Sequence, residues 1–292
     1  MKAQNSVKKI VISGQSGYIG SLITKRLEKN GFRVEGIPRN RLNIADELRK
    51  QLRSAYAIIN LAGAPILQRW TSENRKIIYD SRVQTTKNLV KVVEDLPLNE
   101  RPRKFISASA IGIYKAGFSH DESSMNFDTG FVGKVVRDWE APTGELPLDV
   151  QQTIFRIGPV IGKKSQMIKR LLLPFKLGLG ATIGNGKQAF PFIHSKDLTR
   201  AFVWAIENEL PNGTYNLVAP ETPTNKAFTK TLAKKLKRPA FLFIPGFALK
   251  LMFGQAAEML IQSPEVSADK LLKAGFKFDY PNIDSALTEI VD

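Results

Sequence analysis

The sequence predicts an α/β fold in which a doubly wound parallel sheet carries a smaller, mostly helical C-terminal lobe. Short apolar runs alternate with helical patterns through the first half of the chain, and a glycine-rich turn joins the first predicted strand to the first predicted helix. The pattern after residue 225 is mostly helical. Strand–helix alternation forms right-handed βαβ units and therefore a parallel sheet. A chain of 292 residues accommodates one large domain with an appended lobe.

The elements of the first half follow from the spacing of apolar residues. β-branched and apolar runs predict strands over residues 7–13, 32–38, 57–62, 104–107 and 152–157. Helical spacing predicts helices over residues 18–30, 45–53, 72–96 and 131–141. Gly31 stands where a C-cap glycine belongs, and Ser72 is the candidate N-cap of the long third helix.

The second half changes character near residue 160. A glycine-rich stretch covers residues 178–186 and is interpreted as a lid or as an ordinary flexible loop. A helix is predicted near residues 198–208 and a strand near residues 214–218. We therefore expect one domain over residues 1–160 and a smaller lobe over residues 161–292, with residues 190–220 returning to the first domain.

The composition excludes several classes of protein. The chain has no cysteine and two histidines, which excludes disulfides and argues against a metal site. Its 43 basic and 27 acidic residues give a net charge of +16, but the basic residues are spread out and no nucleic-acid-binding motif accompanies them. Nucleic acid is therefore not expected as the main partner.

No membrane association is predicted either. Residues 1–9 are polar, and the longest apolar stretch, residues 240–254, is interrupted by Pro245 and Gly246. We expect a soluble, cytoplasmic protein, and the sequence leaves its oligomeric state open.

The strongest motif lies between the first strand and the first helix. Its pattern is G-x-x-G-x-x-G, from Gly14 to Gly20. Gly14 permits the tight turn, Gly17 lets the backbone approach a pyrophosphate, and Gly20 lets the helix pack on the sheet. The helix N-terminus offers free N–H groups to the phosphates. In this strand–turn–helix setting the motif predicts a Rossmann domain that binds a nicotinamide dinucleotide.

The end of the second strand favours NADP(H) over NAD(H). An NAD site places an acidic residue there to bind the ribose 2′-hydroxyl, but Glu35 comes too early in the strand. Arg39, with Arg41 nearby, stands where a 2′-phosphate would lie. The alternative is an exposed loop arginine with no ligand.

Several segments together resemble the extended, atypical branch of the short-chain dehydrogenase/reductase superfamily. The resemblance is to an NAD-dependent epimerase/dehydratase-like subfamily, related to nucleoside-diphosphate-sugar epimerases, sometimes described as cell-division-inhibitor-like and ending in a C-terminal domain of unknown function. It covers essentially the whole chain. The segments that carry it are residues 59–63, 69–71, 80–86, 106–112, 137–140, 173–180 and 191–194.

The resemblance implies a set of cofactor-binding residues in this chain. Gly14, Gly17, Tyr18, Ile19 and Gly20 form the phosphate loop, and Arg39 binds the 2′-phosphate. The remaining residues comprise the adenine-edge pair Asn43 and Ile44, the ribose-side residues Ala62, Gly63 and Ala64, Arg82 where relatives commonly have Asn, and Ser107. The smaller lobe is expected to hold a substrate.

The chain departs from the superfamily in its catalytic residues. These reductases pair a tyrosine with a lysine four residues later, on one helical face. None of the six tyrosines here has a lysine at that spacing, and Val132 and Val136 occupy the two positions. Ser109 is the candidate that polarises a substrate oxygen, and Tyr114 or a water is the candidate proton source. Alternatively, Ser109 only packs at a strand end and Tyr114 is a half-buried loop aromatic.

Two further residues are candidates for substrate binding. Arg156 could bind an anionic substrate or pair with a buried carboxylate, and His194 could contact substrate or cap the helix that follows. We therefore expect an NADP(H)-dependent oxidoreductase or epimerase-like enzyme that acts on a small carbonyl or sugar-like substrate. The alternative is a non-catalytic NADPH-sensing regulatory protein, which loss of the tyrosine–lysine pair predicts. The sequence does not identify the substrate.

Overall fold

The computed structural model describes residues 7–292. The first six residues of the segment predicted to be polar lie outside the described residues. The strands, in chain order, are β1 (Lys9–Ser13), β2 (Arg33–Ile37), β3 (Ala57–Asn60), β4 (Lys104–Ala110), β5 (Ser119–His120), β6 (Gln151–Ile157), β7 (Val160–Ile161), β8 (Ala181–Ile183), β9 (Ile193–His194), β10 (Gly213–Leu217), β11 (Leu242–Ile244) and β12 (Glu265–Val266).

The α-helices, in the same order, are α1 (Tyr18–Lys29), α2 (Ala45–Leu52), α3 (Ser72–Asp80), α4 (Val83–Asp95), α5 (Phe131–Glu140), α6 (Gln166–Lys176), α7 (Ser195–Glu207), α8 (Asn225–Lys235), α9 (Gly246–Phe253), α10 (Glu258–Ile261), α11 (Asp269–Lys273) and α12 (Ile283–Val291). Among residues 7–292, no helix combines the length and apolar character needed to cross a membrane.

Six strands form the central sheet in the order β2-β1-β3-β4-β6-β10, and every pairing is parallel. The chain therefore adopts the predicted Rossmann-like α/β fold. The direction of winding reverses between β1 and β3. In open α/β sheets, ligands bind beyond the carboxyl ends of the strands at such a reversal. The expected crevice thus lies between the loop after Ser13 and the loop after Asn60.

Helices cover both faces of the sheet because both faces are apolar. Ile10 and Ile12 of β1 join one buried cluster with helices α1 and α7, whereas Val11 faces the opposite cluster with α2 and α4. This alternation has the two-residue period of a strand. The sheet is buried on both sides, as parallel sheets generally are.

Residues after the predicted boundary return to this sheet. Helix α7 contributes Leu198 and Phe202 to the same buried cluster as α1, and β10 is the sixth strand of the sheet. A separate apolar cluster joins α6, α8 and α12, and this cluster forms the core of the C-terminal part. Division of the chain at residue 160 stays a prediction.

The structure corrects the prediction of one long helix over residues 72–96. Helix α3 ends at Asp80 and α4 begins at Val83. The break has a local cause: the Ser81 hydroxyl accepts a hydrogen bond from the Ala64 backbone N–H at 2.9 Å, and Arg82 donates to the carbonyls of Ile78 and Ala64. These bonds join the break to the loop after β3.

Two smaller predictions were also wrong. The N-cap of α3 is Thr71 rather than Ser72, because the Thr71 hydroxyl accepts from the Asn74 N–H at 3.2 Å. The glycine-rich stretch over residues 178–186 is not entirely loop, since it contains β8, which pairs with β11.

Candidate cofactor and active site

The turn after β1 has the shape that its glycines predict. Gly14 has a φ of +75°, and a Cβ there would lie 2.8 Å from the Leu61 carbonyl oxygen. A Cβ on Gly20 would overlap the Gly14 carbonyl oxygen. Gly17 is exposed, and a Cβ there would meet only that oxygen, at 3.3 Å. Two of the glycines thus hold the turn together, whereas Gly17 leaves its outer face open.

The N-terminus of α1 faces outward from this turn. Gly17 is its N-cap residue, and no side chain caps the helix. The first turn also lacks an acidic residue. Unpaired N–H groups and the positive end of the helix dipole therefore remain at a place suited to phosphate.

Tyr18 points away from that opening, toward the body of the protein. Its hydroxyl hydrogen-bonds Ser195, and burial raises the pKa of Tyr18. A Cβ on Gly162 would lie 2.9 Å from the same hydroxyl. Tyr18 therefore attaches the phosphate turn to the start of α7.

The end of β2 carries exposed arginines, as predicted. Arg39 follows the strand in a short 3-10 turn and has no carboxylate within ion-pair distance among residues 7–292. Arg41 makes a long contact of 3.6 Å with Glu47, and Glu35 pairs with Arg33 inside the strand. Arg39 is thus the free cation at the strand's tip.

The two residues expected at the adenine edge lie beyond that turn. Asn43 accepts a hydrogen bond from the Asn88 side chain at 3.0 Å, and Ile44 is exposed.

A buried polar cluster fixes the carboxyl ends of β1 and β3. The Ser13 hydroxyl donates to the Asn60 side-chain oxygen at 2.7 Å, and the Asn60 amide donates to Thr86 at 2.8 Å. The same Ser13 oxygen accepts from the backbone N–H of Ala62 at 3.3 Å, and Ser107 lies 3.4 Å from the Asn60 amide. The loop that carries Ala62, Gly63 and Ala64 is therefore anchored.

Arg82 is placed against that loop. Its guanidinium donates to Ala64 O at 2.9 Å and lies over the Trp139 ring, and a Cβ on Gly63 would come within 3.1 Å of it. No carboxylate among residues 7–292 lies within ion-pair distance, and burial lowers the pKa of Arg82 to about 10. A partly buried guanidinium with unused N–H donors favours an anionic neighbour.

Ser109, Tyr114 and Arg156 belong to one buried network. Arg156 donates to both carboxylate oxygens of Glu140 and, at 2.8 Å, to the Tyr114 hydroxyl. Ser109 donates to Glu140, and Tyr114 donates to the Asn216 side chain at 2.8 Å. The network forms because Ser109 and Arg156 are register neighbours in β4 and β6. Arg156 thus adopts the carboxylate-paired arrangement, which was one of its two alternatives.

The surroundings of Tyr114 affect its acidity. Burial raises the pKa of Tyr114, although Arg156 opposes the shift. The ring also stacks on His120, with centroids 4.8 Å apart. A tyrosine with a raised pKa is a weak proton donor near neutral pH.

His194 caps a helix, which was the other interpretation of this residue. It is the N-cap of α7, its Nδ1 accepts from the Lys196 N–H, and its Nε2 lies 3.1 Å from Glu289 of α12. The ring is buried and lies against Tyr280. His194 therefore joins α7 to the C-terminal helix.

The positions of the missing pair contain no titratable group. Val132 and Val136 lie on α5 in an apolar cluster that also contains Ile113 and Tyr114. The sequence interpretation missed Glu140, Asn216 and Asn60 as organising residues. Asn60 follows three apolar residues in β3 and is fully buried, and that polar residue in an apolar run was the available signal.

Comparison with known proteins agrees with this geometry. Residues 10–217 match the family model described as NAD dependent epimerase/dehydratase family, and residues 244–290 match a domain of unknown function, DUF1731. The human epimerase family protein SDR39U1 is 33% identical over 294 residues, which cover 97% of this chain and 99% of that protein.

Solved structures show the same fold. The crystal structure of human SDR39U1 with NADPH matches with a TM-score of 0.90 at 32% identity, covering 97% of this chain and 99% of that one. A nucleoside-diphosphate sugar epimerase from Corynebacterium glutamicum matches with a TM-score of 0.77 at 24% identity, over 98% of this chain and 58% of that one, which shows the fold alone. The chain belongs to the NAD-dependent epimerase/dehydratase family.

Proposed function

We propose that this protein binds NADP(H) at the turn after β1 and is an NADP(H)-dependent oxidoreductase or epimerase-like enzyme. One observation carries the proposal. The glycine turn, with two Cβ-excluding positions and an open third, lies at the reversal of the sheet, and the neighbouring strand is followed by Arg39, which has no carboxylate partner within residues 7–292. The NADPH in the crystal structure of human SDR39U1, a 32% identical relative, supports the same cofactor.

The proposal assigns a role to each group of residues. Gly14, Gly17, Tyr18, Ile19 and Gly20 hold the pyrophosphate on the α1 N-terminus, and Arg39 binds the 2′-phosphate. The further contacts comprise Asn43 and Ile44 at the adenine edge, and Ala62, Gly63, Ala64, Arg82 and Ser107 on the ribose side. When bound, the cofactor supplies the hydride chemistry, while the protein positions its partner.

The substrate side of the proposal rests on Ser109 and Tyr114, because Arg156 pairs with Glu140 and His194 caps α7. As an enzyme, the protein would use Ser109 to polarise the oxygen of a small carbonyl or sugar-like substrate, with Tyr114 or a water as proton source. Because Ser109 donates to Glu140, a substrate oxygen has to compete with that carboxylate for the hydroxyl.

The same network favours a second candidate, a non-catalytic NADPH-sensing protein. Ser109 and Tyr114 are both buried, and their hydroxyls already donate to protein groups. Neither position of the tyrosine–lysine pair carries a titratable group. Turnover with a panel of carbonyl substrates separates the two. Turnover that Ser109→Ala reduces supports the enzyme, and NADPH binding with no turnover supports the sensor.

The cofactor assignment is tested by titrating the protein with NADPH and with NADH. Arg39→Ala should weaken NADPH binding about ten- to a hundredfold, the loss of one charge-assisted phosphate contact, and leave NADH binding nearly unchanged. Arg26→Ala, an exposed arginine at the other end of α1, is the matched control and should bind NADPH normally. No binding of either cofactor by the unmodified protein would remove the central claim.

A further inference from the structure

A group of large apolar side chains is exposed on the C-terminal part of the molecule. They lie at the end of α6, on β11 and on α9, and each is between 56% and 78% exposed. We call this group the apolar surface, and it consists of Leu173, Leu177, Leu179, Phe241, Phe243, Phe247 and Leu251. Monomeric proteins rarely expose so many large apolar residues together unless something covers them.

The elements that carry the apolar surface are neighbours. Strand β11 pairs with β8, which follows α6 directly, so that Leu242 lies opposite Ala181. The Arg238 guanidinium donates to the Lys176 carbonyl at the end of α6, at 2.8 Å. A Cβ on Gly180 would touch both Phe175 and Ala240. The segments that carry the seven side chains therefore adjoin one another, and α9 follows β11 directly after Pro245.

Helix α9 is unusual within this region. Lys250 is its one charged residue, and Leu249 is its one buried residue. A helix that is apolar on all sides is normally enclosed by protein or lipid. Half of the residues of α9 are exposed instead, so its sequence indicates contact with an apolar phase.

The region around the apolar surface is also strongly basic. The sequence contains no acidic residue between Asp149 and Asp197, and none between Glu221 and Glu258. Exposed basic side chains border the apolar residues, and none of them has an ion-pair partner within residues 7–292. They are Lys169, Arg170, Lys176, Lys234, Lys237 and Arg238.

The positive charge around the apolar surface argues against a second copy of the chain as the molecule that covers it. Two such surfaces brought together would place their basic borders side by side, and like charges repel. An anionic surface would instead neutralise them. The seven side chains line neither of the two described cavities, of about 550 and 490 Å³. Protein interfaces place their strongest contacts in packed pockets.

We propose that the apolar surface and its basic border dock the protein on an anionic lipid bilayer. The phenylalanine and leucine side chains enter the interface, and the lysines and arginines contact lipid phosphates, which is the combination that peripheral membrane proteins use. The docking is reversible and is proposed in addition to the cofactor site.

The test is sedimentation of the full-length protein with vesicles. Vesicles of phosphatidylcholine and phosphatidylglycerol in equal parts should bind it, and vesicles of phosphatidylcholine alone should bind it far less. Phe243→Ser with Phe247→Ser should lower the partition coefficient at least about tenfold. Replacing Lys234 and Lys237 with Gln should lower the partition coefficient about fivefold for each lysine.

Matched controls separate docking from general effects. Leu148→Ser removes an exposed leucine elsewhere, and Lys25→Gln with Lys87→Gln removes two exposed charges elsewhere, so both should bind like the unmodified protein. All replaced side chains are exposed, and thermal unfolding checks that each variant is folded.

Three outcomes would overturn the proposal. They are failure to bind anionic vesicles, equal losses in the control variants, and a concentration-dependent dimer, seen by analytical ultracentrifugation, that the phenylalanine variant abolishes. The last would assign the apolar surface to self-association. Binding to an oligonucleotide that survives the phenylalanine changes, without vesicle binding, would assign the basic border to nucleic acid.

Discussion

At the scale of single residues, the glycines of the phosphate turn have different structural roles. Gly20 is enclosed by the turn, since a Cβ there would overlap the Gly14 carbonyl oxygen and approach Gln15. Gly17 faces outward with one mild contact. One position therefore serves the fold and the other serves the ligand.

This difference predicts opposite behaviour in two alanine variants. Gly20→Ala should lower the free energy of unfolding by roughly 1–3 kcal/mol, because overpacking exceeds the gain in helix propensity of about 1 kcal/mol. Gly17→Ala should lower the free energy of unfolding by at most about 1 kcal/mol, the cost of alanine at an N-cap, but weaken NADPH binding, since its methyl group enters the phosphate position. Urea unfolding and NADPH titration measure the two effects, and equal behaviour of the variants would contradict the assignment.

A second prediction at this scale concerns the Glu140–Arg156 pair. Their side chains are 13% and 7% exposed, so removing one partner leaves a buried charge. Arg156→Met should lower the free energy of unfolding by about 3–5 kcal/mol, and combining it with Glu140→Leu should restore much of the loss. Arg33→Met, which breaks the more exposed pair with Glu35, should cost at most about 1 kcal/mol. Similar losses in both single variants would show that the buried network is not special.

At the scale of elements, the start of α7 depends on a neutral histidine. The His194 Nδ1 accepts the Lys196 N–H and therefore carries no proton, which leaves Nε2 to donate to Glu289 of α12. Desolvation lowers the pKa of His194, although Glu289 opposes this shift. Protonation would remove the cap and add a charge to a buried ring.

Titration of His194 should make the free energy of unfolding fall as the pH falls. Because the folded-state pKa of His194 lies below the unfolded value of about 6.5, its stabilising contribution is complete above that pH and is lost as the pH falls further. Glu289, whose pKa is also lowered, stabilises the fold at neutral pH and loses this contribution only at more acidic pH than His194. His194→Asn keeps a capping side chain and should flatten the slope just below pH ~6.5. If the free energy of unfolding, measured in urea, changes with pH as steeply in this variant as in the unmodified protein, then the pH dependence comes from another group.

At the scale of the whole molecule, the Rossmann domain is not one continuous segment. Strand β10 and helix α7 come from residues beyond 194, and Leu198 and Phe202 share a buried cluster with Ile23 and Leu27 of α1. A fragment of residues 1–160 would expose that face of the sheet.

That fragment should therefore not fold cooperatively. Loss of the α7 cover exposes several large apolar side chains, each worth about 1.5–3 kcal/mol when buried, which is enough to exceed the stability of a typical domain. Near-ultraviolet circular dichroism and urea unfolding of residues 1–160 and 1–220 test this. The longer fragment, which contains all six strands, should retain more fixed tertiary structure. A sharp unfolding transition in the shorter one would show that residue 160 is a true domain boundary.

Local patterns were sufficient for much of this protein. The periods of apolar residues predicted the six strands of the sheet and the helices beside them, because a strand's two-residue period and a helix's 3.6-residue period are set by backbone geometry alone. The phosphate turn was also predictable, because the close contacts that require glycine lie mostly within one strand–turn–helix unit. The break between α3 and α4 was not, because its cause is a loop that lies near it only in the folded chain.

The sequence by itself determined the fold class, the glycine turn and the free arginine after β2, all of which depend on residues close together in the chain. Tertiary structure alone decided that Ser109, Tyr114, Glu140, Arg156 and Asn216 form one network and that His194 meets Glu289. These contacts join residues far apart in sequence, and the register of β4, β6 and β10 places Ser109, Arg156 and Asn216 side by side. The physical reason is that hydrogen bonding and burial act through space, whereas a pattern in the sequence records only neighbours along the chain.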